Sequence, residues 1–137
     1  MSRILIDTNI VIDLLAQREP FYENAAAIFS MADNKQVSLY ISVLSFANTN
    51  YILSKTTNAK QAREILRKFK VLVEVLPLDD KITELALSDL QFPDFEDGLQ
   101  YYTAVEHKLD GIITRNKKDF KNATIPVLTA KEFLAKK

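Results

Sequence analysis

The 137 residues contain no cysteine. Disulfides, thiolate catalysis and structural cysteine–zinc sites are therefore excluded. Glycine occurs only twice and no stretch is of low complexity, so little of the chain reads as disordered. Charge of one sign is also missing: 18 Lys and Arg stand against 18 Asp and Glu. No global field draws such a chain to nucleic acid or to a membrane surface, and contact with a polyanion needs a local patch or a bound metal. No apolar run is long enough to cross a bilayer, and the first residues lack a basic region followed by a signal-peptide core. A soluble, cytoplasmic protein without a membrane partner is expected. The single histidine, His107, falls late in a helical pattern, where a helix C-terminal contact suits it better than general-base work.

What is present is ordinary globular composition, 47% apolar and 26% charged, over a length that suits one domain, residues 1–137. The chain is organised around its opening stretch. Ile4-Leu5-Ile6 reads as a buried strand of a parallel sheet, and it stops at Asp7-Thr8-Asn9. Ligands of open α/β sheets bind beyond the carboxyl ends of the strands, so Asp7 falls at a rim on the first, central strand. One of Asp7, Thr8 and Asn9 also suits the N-cap of the next helix.

Strands and helices then alternate. Helical spacing covers Ile10 to Leu15 and residues 21–34, and a short strand runs from Val37 to Ile41. Ser42 opens a helix over 43–55, and Asn58 opens another with Ala62, Ile65, Leu66 and Phe69 in one stripe. A strand is expected over 71–76. Asp79 or Asp80 caps a helix carrying Ile82, Leu85, Ala86 and Leu90. Asp94 to Asp97 open a helix with Leu99, Tyr102, Val105 and Leu109 inward. Strands over 112–114 and 125–128 and a final helix through Phe133 complete the order. This alternation predicts an α/β fold, a mostly parallel central sheet in a three-layer α/β/α sandwich.

Acidic residues collect where strand ends and helix starts meet that rim. They are Asp7, then Asp94, Glu96 and Asp97, then Asp119 just past the fourth strand, with Thr114 and Asn116 between. Convergent oxygen donors suit a hard divalent cation, and carboxylates brought together without one repel. Asp94 and Asp97 also fit a capping box, and Asp119 a turn.

Asp7-Thr8-Asn9 after a strand, Asp97 opening a helix, and Thr114-Arg115-Asn116-Lys117-Lys118-Asp119-Phe120 resemble the PIN-domain family, which includes VapC-type toxins of toxin–antitoxin pairs. The resemblance spans essentially the whole chain. It implies a metal-dependent ribonuclease, with Mg²⁺ or Mn²⁺ held by Asp7, Asp97 and Asp119. Thr8, Thr114 and Asn116 match polar neighbours that orient ligands or water, and Asn116 joins the three acids in catalysis. It further implies RNA as substrate, single-stranded or in a structured loop, an antitoxin as partner, and a homodimer. One departure stands out: Asn48 occupies a position where relatives carry an acid. The site then holds one negative charge fewer, with Asp94 or Glu96 as candidates to replace it.

Arg115, Lys117 and Lys118 beside the rim are placed to meet an RNA backbone or to form a solvated turn. Lys60, Arg63, Arg67 and Lys70 read as a solvated helix face. Tyr22, Tyr51, Tyr101 and Tyr102 read as core or rim packing rather than base-stacking platforms, and Tyr101, one turn beyond Asp97, is the one to watch for base contact. An aspartate-nucleophile phosphatase would need a second aspartate where Asn9 stands, and the paired acids of a phospho-acceptor domain are missing. The rival reading is a PIN-like module that binds RNA or protein without efficient turnover, because of Asn48.

Overall fold

The computed structural model describes residues 2–136. In chain order the elements are β1 (Arg3–Ile6), α1 (Thr8–Leu15), α2 (Tyr22–Asp33), β2 (Ser38–Ser42), α3 (Val43–Thr56), α4 (Ala59–Phe69), β3 (Glu74–Leu76), α5 (Asp80–Ser88), α6 (Phe95–Glu106), β4 (Gly111–Ile113), β5 (Val127–Leu128) and α7 (Ala130–Ala135). Short 3₁₀ turns occupy Lys70–Leu72 and Lys117–Phe120.

All strand pairs are parallel, in the order β3-β2-β1-β4-β5. The chain builds outward from β1 to β2 and β3, then returns to add β4 on the other side. Strand order therefore reverses between β1 and β4, the place where an open α/β sheet leaves a crevice. Asp7 lies directly beyond β1, and its backbone N–H donates to the Ile113 carbonyl of β4 at 3.0 Å. The sheet thus fixes the Asp7 backbone at the reversal point.

Side chains alternate between the two faces, as the pleat requires. Ile4 and Ile6 of β1, Leu39 and Ile41 of β2 and Ile113 of β4 pack with Ile10, Val11, Ile28, Phe29 and Phe133 of α1, α2 and α7. Leu5 and Ile112 point the opposite way, into Phe92, Tyr101, Ala104 and Phe120. Helices thus cover both faces of the sheet, the expected three-layer arrangement. Burying a side chain of Leu or Ile size stabilises by about 1.5–3 kcal/mol, and Leu5, Ile6, Ile28, Ile41, Ile112 and Ile113 are each essentially inaccessible.

Several boundaries differ from the sequence reading, for local reasons. The strand expected over 71–76 pairs only from Glu74, because Lys70–Leu72 continues α4 as a 3₁₀ turn and leaves Val71 exposed at the sheet edge. Helix α5 stops at Ser88: the Asp89 carboxylate accepts from Gln91 N and Tyr102 Oη, turning the chain and leaving Leu90 87% exposed. The last strand shrinks to Val127–Leu128. Pro126 cannot donate, but its carbonyl accepts from Ile112 N at 2.9 Å. Gly111 is needed beside it, since a Cβ there would lie 2.9 Å from that carbonyl oxygen. Among the described residues, no helix is long and apolar enough to cross a membrane.

Candidate acidic site at the sheet rim

Asp7 does two jobs. Its carboxylate caps α1, Oδ1 accepting from Thr8 N at 2.8 Å, so the capping role anticipated for this stretch is real. Its Oδ2 accepts from the Thr114 hydroxyl at 2.8 Å, across the β1–β4 reversal. Both oxygens are held, so the carboxylate has one orientation. Burial pushes its pKa up, Thr114 and Thr8 oppose that, and Asp119 and Asp94 add repulsion.

Beneath Asp7 lies a polar layer that sequence reasoning missed. Gln100, only 3% exposed, donates through Nε2 to Ser45 Oγ at 2.8 Å and to Thr8 Oγ1 at 3.3 Å. Thr8 Oγ1 and Ser45 Oγ share a further bond of 2.7 Å. The Thr8 hydroxyl therefore faces this inner layer, while its backbone N–H orients Asp7. Glutamine at a core position of α6 was the available signal, since a buried amide requires partners.

The opposite wall is the start of α6. Asp94 is its N-cap, Oδ1 accepting from Glu96 N at 2.8 Å and Asp97 N at 3.3 Å. Asp97 is raised from 3.8 to about 7, first by burial and then by repulsion from Asp94, Asp7, Asp119 and Glu96. That repulsion places the acids in one electrostatic patch. Asn48 of α3 reaches the same wall, its amide donating to Glu96 Oε1 at 2.8 Å. Asn48 thus holds an exposed carboxylate from the neighbouring helix.

Past β4, the Thr114 hydroxyl also accepts from Asn116 N at 3.2 Å, and the Asn116 carbonyl accepts from Asp119 N at 3.0 Å. Asp119 is half-buried and Asn116 exposed. Arg115 is not a solvated cation: its Nε lies 3.3 Å from the Asp13 carboxylate and its guanidinium 4.0 Å from the Phe21 ring centre. Lys117 pairs with Glu132 at 3.1 Å, both half-exposed. Lys118 is exposed and makes no ion pair within 4.0 Å among the described residues. Tyr101 is not a rim residue; it is buried, stacked on Phe92 at 4.6 Å, and its hydroxyl bonds Thr124. His107 caps α6 through Thr103 O, and Lys60, Arg63 and Arg67 of α4 lie exposed, as does Lys70 just after it.

The donor set of the rim is oxygen throughout, which fits a hard divalent cation, and the repulsion raising Asp97 is of the kind such an ion relieves. Among the described residues no three acids already stand at ligating distance. Holding an ion therefore requires side-chain rotation at the α6 start or the Asp119 turn.

Comparison with known proteins agrees with this fold. The family model described as PIN domain matches residues 3–118. Ribonuclease VapC1 of Aquifex aeolicus (strain VF5) is 28% identical over 138 residues, covering 96% of this chain and 93% of its own. A toxin–antitoxin complex from Klebsiella pneumoniae aligns with TM-score 0.66 and 27% identity, over 93% of this chain and 97% of that one. DNA-bound VapBC from Salmonella typhimurium aligns with TM-score 0.73 and 20% identity, over 95% of this chain and 99% of that one.

Proposed function

The chain belongs to the PIN-domain family, and from that premise we propose that it is a divalent-metal-dependent endoribonuclease, the toxin of a toxin–antitoxin pair. The observation that carries this reading is the Thr114–Asp7 bond at the β1–β4 reversal, facing the raised carboxyl of Asp97.

Asp7, Asp97 and Asp119 would hold Mg²⁺ or Mn²⁺. Such an ion neutralises phosphate charge and acidifies a bound water. Asp7, fixed by Thr114 and by Thr8 N–H, is the rigid member of the set. Asp97 and Asp119 are the adjustable ones, and the raised carboxyl of Asp97 can take or release a proton near neutrality. The Asn116 side chain, exposed beside Asp119, orients water or a phosphate oxygen. Lys118, and Lys117 when released from Glu132, meet the RNA backbone, where cations supply sequence-independent affinity. Single-stranded RNA or an exposed loop suits a rim of this kind. A cognate antitoxin as partner follows by analogy with the relatives' complexes; a homodimer and cytoplasmic action complete the proposal.

The second reading, a binding module without efficient turnover, is favoured only by Asn48. The bond from Asn48 to Glu96 weighs against it, because it keeps a carboxylate at the rim. Cleavage of a single-stranded RNA panel with Mg²⁺, Mn²⁺ or EDTA separates the two. The nuclease reading expects metal-dependent cutting by the wild type and none by Asp7→Asn. A folded, inert wild type supports the binding module, and equal cutting by both removes the assigned site.

A further inference from the structure

We propose that Asp13 is the positioning residue of the rim: a buried carboxylate that fixes the Thr114–Asn116 tract and Asn9 relative to Asp7 by gripping two arginines. The inference builds on the metal-site reading above. Asp13 lies inside α1, in the apolar run Ile10-Val11-Ile12-Asp13-Leu14-Leu15, and is fully buried. Its Oδ1 accepts from Arg18 Nε at 3.1 Å, and its Oδ2 lies 3.3 Å from Arg115 Nε as an ion pair without hydrogen-bond alignment. Arg18 also reaches the carbonyl and side-chain oxygens of Asn9, both at 3.4 Å. One carboxylate therefore ties the Asp7-Thr8-Asn9 turn to the loop after β4.

Stability does not account for this placement. Apolar residues of similar volume often stabilise a core as well as a buried ion pair or better, whereas removing one partner leaves an uncompensated charge. What the pair uniquely provides is a fixed Arg115. The residue before it, Thr114, donates to Asp7 Oδ2, and the same hydroxyl accepts from Asn116 N. The Thr114 N–H is itself held by the Leu128 carbonyl at 2.9 Å, so release of Arg115 acts on the tract from its Asn116 end, through the Asn116 N–H on the Thr114 hydroxyl. Arg115 also has somewhere to go: it borders a cavity of about 410 Å³ lined by Pro20, Phe21, Asn24 and Lys131. Asp13, which itself borders that space, and the Phe21 ring hold it at the cavity edge.

The test uses the full chain and the near-isosteric Asp13→Asn, which keeps shape and removes charge. Amide hydrogen exchange is followed at 114–119 and, as an internal reference, at Ile4 to Ile6. Exchange in the tract should quicken about tenfold while β1 stays protected, as local opening allows. Mn²⁺ affinity should weaken about tenfold, the usual scale for loss of an outer supporting group. RNA cleavage should lose kcat, with KM changed by less than about twofold. If Asp13→Asn does not fold, Arg115→Gln, at a half-exposed loop position, must give the same local loosening. Wild-type exchange in the tract, or a rise shared equally by β1, overturns the proposal. A wild type that neither binds Mn²⁺ nor cuts RNA sinks the nuclease reading alone, because the exchange result still decides the role of Asp13.

Discussion

The Thr114 hydroxyl donates to Asp7 Oδ2 at 2.8 Å although 107 residues separate them in sequence. The bond spans the one place where strand order reverses, and it fixes the most buried acid of the rim. Thr114→Val keeps the shape of a fully buried side chain and deletes the donor. Asp7 then loses an interaction favouring its charged form, so its pKa rises further. Mn²⁺ affinity and cleavage rate should drop about 10- to 100-fold, and Thr114→Ser should recover most of both. Calorimetric Mn²⁺ titration of the three proteins checks this; an unchanged Val variant shows that the bond is incidental.

Asn48→Glu supplies the acid that the resemblance implies at this position, and the structure attaches a condition to it. The Asn48 amide donates to Glu96 Oε1 at 2.8 Å. A glutamate there replaces that bond by two facing carboxylates, costing about 1–2 kcal/mol without metal. Melting in EDTA should therefore shift downward, and saturating Mg²⁺ should more than restore it, with cleavage reaching half-maximum at lower Mg²⁺. A variant as stable as wild type in EDTA contradicts the proximity of the two groups.

Asp97 gives the pH dependence. Its pKa rises from 3.8 to about 7 in the folded, metal-free protein. Between those values the folded state binds more protons than the unfolded chain, so stability falls as pH rises toward 7 and levels off above. Asp7 is shifted in the same direction. A cation competes with these protons, so its affinity should climb through the same window with proton release. Melting curves in EDTA between about pH 5 and about pH 8 should show that fall. Asp97→Asn should reduce it, and excess Mg²⁺ should offset it.

The two glycines should respond oppositely to alanine. At Gly98 a Cβ meets Ala86 and Phe92 at an ordinary 3.5 Å, so Gly98→Ala should stabilise α6 by about 0.5–1 kcal/mol. At Gly111 it meets the Pro126 carbonyl at 2.9 Å, so Gly111→Ala should cost about 1–3 kcal/mol by forcing β5 away. Urea midpoints of the two variants settle the signs.

The alternation of strands and helices, the central position of β1 and the placement of Asp7 at the rim were readable from periodicity, because each depends on local residue types. Arg115 was not. In sequence it belongs to a basic tract, and only the fold reveals that a buried Asp13 and the Phe21 ring claim it. Tyr101 resolves to the packing reading rather than to base contact. One turn beyond Asp97 is near in sequence, but its ring lies in the core against Phe92, on the side of α6 facing the sheet. Gln100 offered one signal, an amide within the helix that the core claims, but its partners Ser45 and Thr8 come into view only in the fold. Asn48 was legible as a missing charge; its bond to Glu96 needed α3 and α6 brought together.

The central claim is that the rim acids hold a divalent cation at the β1–β4 reversal. Anomalous scattering from crystals grown with Mn²⁺ measures this directly. The expected result is a peak bonded to Asp7 and Asp97, with Asp119 turned toward it and Thr114 still on Asp7. A peak elsewhere, or none with the crevice open to solvent, contradicts it.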